Sequence, residues 1–211
     1  MSDKKKAIFI GDYKSPKWHP ANDIENELCK ILHGYAKIDA VEDYGGLRLK
    51  DLSEYDLCIN YVDCWDDKAS KKTVAAFLCY VAQGGGMLTI HNGILQGNHE
   101  LNAMHGGKFL SHPKYTSLSF EVTEPSHPIM EGIGPFEMEE EPYRFELDPL
   151  TEKTMLMQYR YEDKLWPAAW AIEHGKGRVC YLFPGHTAKA FQHKEYAKMI
   201  LNGAKWVAFS I

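Results

Sequence analysis

Short apolar segments and helical periodicity alternate along the first 90 residues. Residues 6–10, 56–60 and 87–90 are short apolar runs, typical of strands buried on both faces of a parallel sheet. A fourth strand, 36–41, alternates as a more exposed strand does. Asn22 and Glu25, spaced like a capping box, predict the start of the first helix. The apolar positions of the two predicted helices are Ile24, Leu28, Ile31, Leu32, Tyr35, Val74, Phe77, Leu78 and Val81.

The second half of the chain has a different texture. Residues 117–122, 154–159 and 167–172 are strand-like without helices between them, which predicts an antiparallel extension of the sheet. A glycine-rich turn leads into a last strand at 178–183, and a closing helix follows at about 194–208. We therefore expect one domain over 1–211, an α/β fold with a flavodoxin-like, doubly wound, mostly parallel sheet and an antiparallel β extension.

Composition excludes several classes of protein. The 211 residues are 45% hydrophobic and 25% charged, with a net charge of −5 and no basic stripe, so nucleic acid is not an expected partner. The apolar run at 75–82 is far shorter than the roughly 18 residues of a membrane span, so no membrane association is expected. Five cysteines without C-x-x-C spacing, and no secretory leader in residues 1–10, predict a reduced cytoplasmic protein; a homo-oligomer is left open.

Three histidines follow predicted strands of the parallel sheet. His91 and His186 come directly after strands, and His19 lies in the loop after the first strand. Carboxyl ends of parallel strands form the edge at which ligands bind. His91 occupies the strand-to-turn position of an elbow nucleophile, where an imidazole fits a base or metal-ligand role; a capping or core role is the structural alternative.

Other candidates lie in loops or beside prolines. His112 is in an irregular segment between glycine and proline and is expected at the same edge as the other three histidines, although a plain surface position is equally compatible with it. Glu141 stands before Pro142 at the end of an acidic run, where we expect a carboxylate in a partly dry pocket, whereas Glu137 and Glu139 fit a solvated face. The expected substrate-binding residues are Asp12, Trp18, Tyr143 and Trp170, although a core position also suits Trp170.

These motifs together resemble the ThuA-like, or trehalose-utilisation, family over nearly the whole chain. The residues that carry the resemblance lie in segments 84–93, 106–113, 126–132, 140–143, 167–170 and 175–186. The resemblance implies a variant of the class I glutamine amidotransferase-like fold. In the acidic pair of this pattern Glu140 stands where Asp is more common, so only Glu141 is retained as a candidate.

The resemblance also implies carbohydrate chemistry. Amidotransferases carry a cysteine at the elbow, and His91 in its place offers no acyl-enzyme route, so glutaminase activity is not expected. ThuA-like proteins are associated with keto-sugars such as 3-keto-trehalose, which points to a lyase or hydrolase acting on keto-glycosides. We expect His91, His112, Glu141 and His186 to be catalytic residues.

A divalent metal, zinc or manganese, is the cofactor that this set of side chains suggests. His19, His91 and His186 are its expected ligands, and no nucleotide cofactor is expected. Two alternatives remain: a non-catalytic sugar-binding module, and a hydrolase of amidotransferase or peptidase type that uses Cys64, which follows the third strand.

Overall fold

The computed structural model describes residues 4–14, 18–47, 51–64 and 68–211. Within these ranges the strands are β1 Lys5–Gly11, β2 Ala36–Glu42, β3 Leu57–Tyr61, β4 Gly86–Ile90, β5 Gly107–Ser111, β6 Thr116–Val122, β7 Phe136–Glu140, β8 Arg144–Leu147, β9 Thr154–Tyr161, β10 Lys164–His174 and β11 Gly177–Leu182. The helices are α1 Ala21–Ile31, α2 Asp43–Gly46, α3 Lys71–Ala82, α4 His99–Met104, α5 Ala188–Phe191 and α6 Lys194–Val207.

One large sheet organises these elements. Its strand order is β2-β1-β3-β4-β11-β10-β9-β6-β7, and the neighbours from β2 to β11 are parallel. The parallel part has the flavodoxin-like order, with β11 in the fifth place. The expected α/β class with an antiparallel extension is confirmed, since β10, β9, β6 and β7 continue the sheet in antiparallel steps.

The direction of β7 matters for the site. Four antiparallel pairings lead from β11 to β7, so these two strands run in the same direction although three strands separate them. The residues after β7 therefore lie at the same edge as those after β1, β4 and β11. Beside this edge β5 and β8 form a small antiparallel sheet.

The core follows the apolar runs of the sequence. All residues of β3 and β4 are buried, as are Ala7–Ile10 in β1, because helices cover both faces of the parallel strands. The outer strand β2 is only partly buried, as its alternation predicts. No helix within the described ranges is long and apolar enough to cross a membrane.

One local prediction, the capping box, is wrong. Helix α1 begins at Ala21 with Pro20 at its N-cap, and no side chain caps it; the amide of Ala21 instead donates to the carbonyl of Asp12 at 3.0 Å. That backbone bond satisfies one of the free N–H donors at the start of the helix. Strand β7, which the sequence did not predict, contains the acidic run, and Glu137 and Glu139 are exposed on it, as a solvated face requires.

Candidate functional site

The carboxyl edge of the parallel sheet brings three histidines together. His19 lies between β1 and α1, His91 directly after β4, and His186 four residues after β11. The ring centroid of His19 is 5.0 Å from that of His91 and 5.2 Å from that of His186. The ring centroids of His91 and His186 are 5.5 Å apart. The predicted convergence of these residues on one edge is therefore observed.

The backbone at His91 forms a strained elbow. Its φ of 46° lies in the left-handed region, which costs a residue with a side chain about 1 kcal/mol or more. A 3-10 turn, His91–Ile94, starts there, and Gly93 allows it because a Cβ at this position would lie 2.4 Å from the carbonyl oxygen of Asn60. The elbow thus directs the His91 imidazole across the end of the sheet.

Hydrogen bonds fix the tautomer of His91. Its Nδ1 lies 2.9 Å from the carbonyl oxygen of Phe183, which can only accept, so Nδ1 carries the proton and donates. The other nitrogen, Nε2, keeps its lone pair and accepts from the Tyr143 hydroxyl at 2.9 Å. Complete burial, together with the neighbouring His19, holds the pKa of His91 well below its ordinary value. His91 is a neutral imidazole with a lone pair facing the cluster.

Glu141 supplies the carboxylate of the cluster. Its Oε2 is 3.2 Å from Nδ1 of His186 and 3.7 Å from Nε2 of His91, and its Oε1 is 3.6 Å from Nδ1 of His112. The carboxylate of Glu141 at this distance raises the pKa of His186 against the opposing effect of burial. Burial opposes ionisation of Glu141, but His186 and the other surrounding imidazoles outweigh it and lower the Glu141 pKa.

Four residues offer atoms that could hold a metal ion. One ligand atom each from His19, His91, Glu141 and His186 lies within 4.8 Å of the others. His19 is buried, and neither of its ring nitrogens has a hydrogen-bond partner in the described part of the chain. Its Nδ1 is 3.6 Å from the carboxylate of Asp63, which is too long for a hydrogen bond but within ion-pair distance. Three imidazoles and a carboxylate fit the ligand preferences of a divalent ion.

The remaining expected residues lie at different depths. His112, 40% exposed, lies at the opening of the cluster beside Glu141. Trp18 is 67% exposed and immediately precedes His19. Tyr143 contacts His91 but is almost completely buried, so it lies on the core side of the cluster.

Three further candidates lie outside the cluster. Trp170 is fully buried in β10, and its indole N–H donates to the carbonyl of His105 at 2.7 Å, so the structure does not bring it to the site. Its alternative interpretation as a core residue matches this position. Asp12 and Cys64 line a neighbouring cavity of about 530 Å³ together with Asp63.

Sequence reasoning missed one acidic residue. Glu140, the last residue of β7, is completely buried and accepts hydrogen bonds from the backbone amides of Gly185, His186 and Glu141. Burial raises its pKa to about 7, although these three amides favour the ionised form. A signal was present: in the alternation of β7, Glu140 falls on the same face as Phe136 and Met138, where an apolar residue is expected.

Comparisons with known proteins agree with the sequence motifs. The family model for ThuA, described as trehalose utilisation, matches residues 13–207. A search of curated protein sequences found no match. Among solved structures, a ThuA-like protein from Parabacteroides merdae superposes with a TM-score of 0.83 at 18% identity, covering 98% of this chain and 90% of that chain.

Two further structures have related folds. A ThuA-like protein from Bacteroides uniformis gives a TM-score of 0.78 at 19% identity, with 96% of this chain and 91% of that chain covered. A β-galactosidase from Rahnella sp. R3 gives 0.68 at 17% identity, with 97% of this chain but 31% of that chain covered. At such identities these likenesses describe the fold alone, whereas the family model spans most of the sequence. The chain belongs to the ThuA, or trehalose utilisation, family.

Proposed function

We propose that the protein is an enzyme of carbohydrate utilisation that acts on a keto-sugar or keto-glycoside. In this proposal a divalent cation, zinc or manganese, is held by His19, His91, Glu141 and His186. The observation that carries it is the convergence of four ligand atoms around His19, a buried imidazole with no hydrogen-bond partner in the described ranges. Buried polar atoms without partners call for an explanation, and an ion between these side chains provides one.

The residues of the cluster divide into two groups by depth. His91 is completely buried and His19 nearly so, which suits ligands better than groups that exchange protons with a substrate. His112 is exposed at the opening, and its ring lies beside Glu141. We assign His112 as the base, because it is the imidazole of this group with the most open approach for a sugar.

The reaction that fits this arrangement is elimination beside a ketone. In a 3-keto-glycoside the carbonyl acidifies the C2 proton, which His112 removes. The electrons of that C–H bond form a C1–C2 double bond while the glycosidic C1–O bond breaks. His112 then donates this proton to the departing glycosidic oxygen. Addition of water to the C1–C2 double bond completes net hydrolysis. A bound divalent cation supplies Lewis-acid polarisation of the carbonyl oxygen.

Metal content and turnover of a 3-keto-glucoside test the proposal together. Purified protein is expected to contain about one equivalent of zinc or manganese and to cleave the substrate. The variants His91→Ala and His186→Ala should lose the metal and the turnover, whereas His112→Ala should retain the metal and lose turnover. His33→Ala, which changes an exposed histidine outside the cluster, is the matched control and should behave as the wild type.

Four results would contradict parts of the proposal. Wild-type protein that binds no divalent metal would remove the metal site. Unaltered turnover in both His91→Ala and His186→Ala would remove the assignment of the cluster. Saturable sugar binding without turnover would favour a binding module, and loss of turnover on alkylation of Cys64 would favour a thiol hydrolase.

A further inference from the structure

Glu140 is a buried acidic residue that the proposed chemistry does not use. Its side chain is 0% exposed, and it is not one of the four candidate ligands. Its Oε2 accepts from the amide of Gly185 at 2.6 Å and from that of His186 at 3.1 Å, and its Oε1 accepts from the amide of Glu141 at 2.9 Å. Both carboxylate oxygens are therefore occupied by backbone N–H groups of the site.

These three amides belong to two loops that the sheet does not join. One loop follows β11 and carries His186, and the other follows β7 and carries Glu141. The strands β10, β9 and β6 lie between β11 and β7 in the sheet, so no ladder hydrogen bond sets the spacing of the loops. The carboxylate of Glu140 spans this gap directly.

We propose that Glu140 is a positioning residue, whose carboxylate ties the backbone of Gly185 and His186 to that of Glu141. The tie sets the separation of two of the candidate ligands, which is 3.2 Å between Nδ1 of His186 and Oε2 of Glu141. This inference rests on the proposed metal site for its functional consequence. The structural tie itself can be tested without metal.

The turn that Glu140 holds is also fixed from its other side. Gly185 has a φ of 145°, a conformation that side chains rarely adopt, and its carbonyl accepts from the Tyr61 hydroxyl at 2.7 Å. Glu140 supplies the matching contact on the amide side. Losing it removes the contact on the amide side of the turn and lets the His186 backbone move relative to Glu141.

Two substitutions of Glu140 separate the effect of its charge from the effect of its side-chain length. Glu140→Gln keeps the length but places an NH₂ donor against a backbone N–H, because an amide offers only one accepting oxygen. Glu140→Asp keeps the charge but is one methylene shorter, so it cannot reach both loops. Glu139→Gln is the matched control, since this neighbouring carboxylate is exposed and pairs with Lys189 at 2.8 Å.

Amide hydrogen exchange on the whole metal-free chain tests directly whether Glu140 holds the amides of the two loops. The amides of Gly185 and His186 should be protected in the wild type and exchange roughly tenfold faster in both Glu140 variants, while the Leu88 amide in the core strand β4 should be unchanged. Glu139→Gln should match the wild type. Unprotected amides at Gly185 and His186 in the wild type would overturn the proposal without any variant.

Zinc affinity, measured by competition with a chromophoric chelator, tests whether this contact positions the candidate ligands His186 and Glu141. Residues that orient metal ligands typically contribute 10- to 100-fold to affinity, and we expect both Glu140 variants to bind zinc that much more weakly. Variants with a lower Tm but unchanged site exchange and zinc affinity would show a merely structural role and overturn the proposal. A wild type that binds neither zinc nor manganese would remove the proposed metal site, while the exchange data would still decide whether Glu140 joins the loops.

Discussion

Replacing Tyr143 by phenylalanine should tighten metal binding. The Tyr143 hydroxyl donates to Nε2 of His91 at 2.9 Å, and this nitrogen holds the only lone pair of the ring, because Nδ1 donates to the Phe183 carbonyl. The lone pair cannot serve a hydroxyl and a metal ion together. Metal binding must therefore break the Tyr143 hydrogen bond, and the hydroxyl acts as a built-in competitor.

The size of the effect follows from the net strength of that bond. A buried intramolecular hydrogen bond contributes about 0.5–1.5 kcal/mol, which corresponds to an affinity gain of about 2- to 12-fold when the competitor is removed. The metal-free variant should lose about 1 kcal/mol of stability, since the same bond supports the apo fold. Tyr143→Phe should thus be less stable without metal and bind it more tightly.

Chelator-competition titrations of zinc, with denaturant unfolding of the metal-free proteins, test both parts. Tyr80→Phe is the control: it also removes one buried tyrosine hydroxyl, but one that bonds the carbonyls of Tyr55 and Gly86, away from the cluster. Its zinc affinity should equal that of the wild type. An unchanged or weaker affinity in Tyr143→Phe would refute the assignment of the His91 lone pair as a ligand.

Three further predictions concern stability. Burial lowers the pKa of His105 to about 4. The neutral side chain therefore stabilises the fold fully above about pH 6.5, and this contribution falls as the pH drops toward 4. Between pH 7 and 5 the free energy of unfolding of the wild type, measured in urea, should fall by about 2 kcal/mol more than that of His105→Gln. Gly93→Ala places a Cβ 2.4 Å from the Asn60 carbonyl oxygen and should lower the free energy of unfolding by about 1–3 kcal/mol; a near-neutral result would contradict the close approach. Ser70→Ala removes the side-chain acceptor at the start of α3 and should cost about 1 kcal/mol, measured as a shift of the urea midpoint at unchanged slope.

The sequence was most informative where one local pattern decides the structure. Continuous apolar runs such as 56–60 and 87–90 predict buried parallel strands, because only a doubly covered sheet buries every residue of a segment. The β7 segment was missed because a run of acids usually indicates a solvated surface. In β7 every second side chain faces the core, and Phe136 places this inward face. Glu140 lies on the same face and is therefore buried despite its charge.

The site was predictable in its members more than in their roles. His19, His91 and His186 follow parallel strands, whose carboxyl ends meet at one edge in any doubly wound sheet. The place of Glu141 depends on the number of antiparallel steps between β11 and β7, which no local pattern encodes. The burial of Trp170 and the bond between Tyr143 and His91 likewise come from tertiary packing.

The elbow explains why this edge suits a cation better than an acyl transfer. In elbow enzymes the strained turn presents an attacking atom to a carbonyl. Here the same strained backbone presents an imidazole whose Nδ1 is held by the Phe183 carbonyl, and whose pKa is held low by burial and by His19. A neutral imidazole fixed in this tautomer directs the lone pair of Nε2 outward, which is what a metal ligand requires. In the proposed function proton transfer is assigned to the exposed His112, so the two proposed roles are separated by depth along one edge of the sheet.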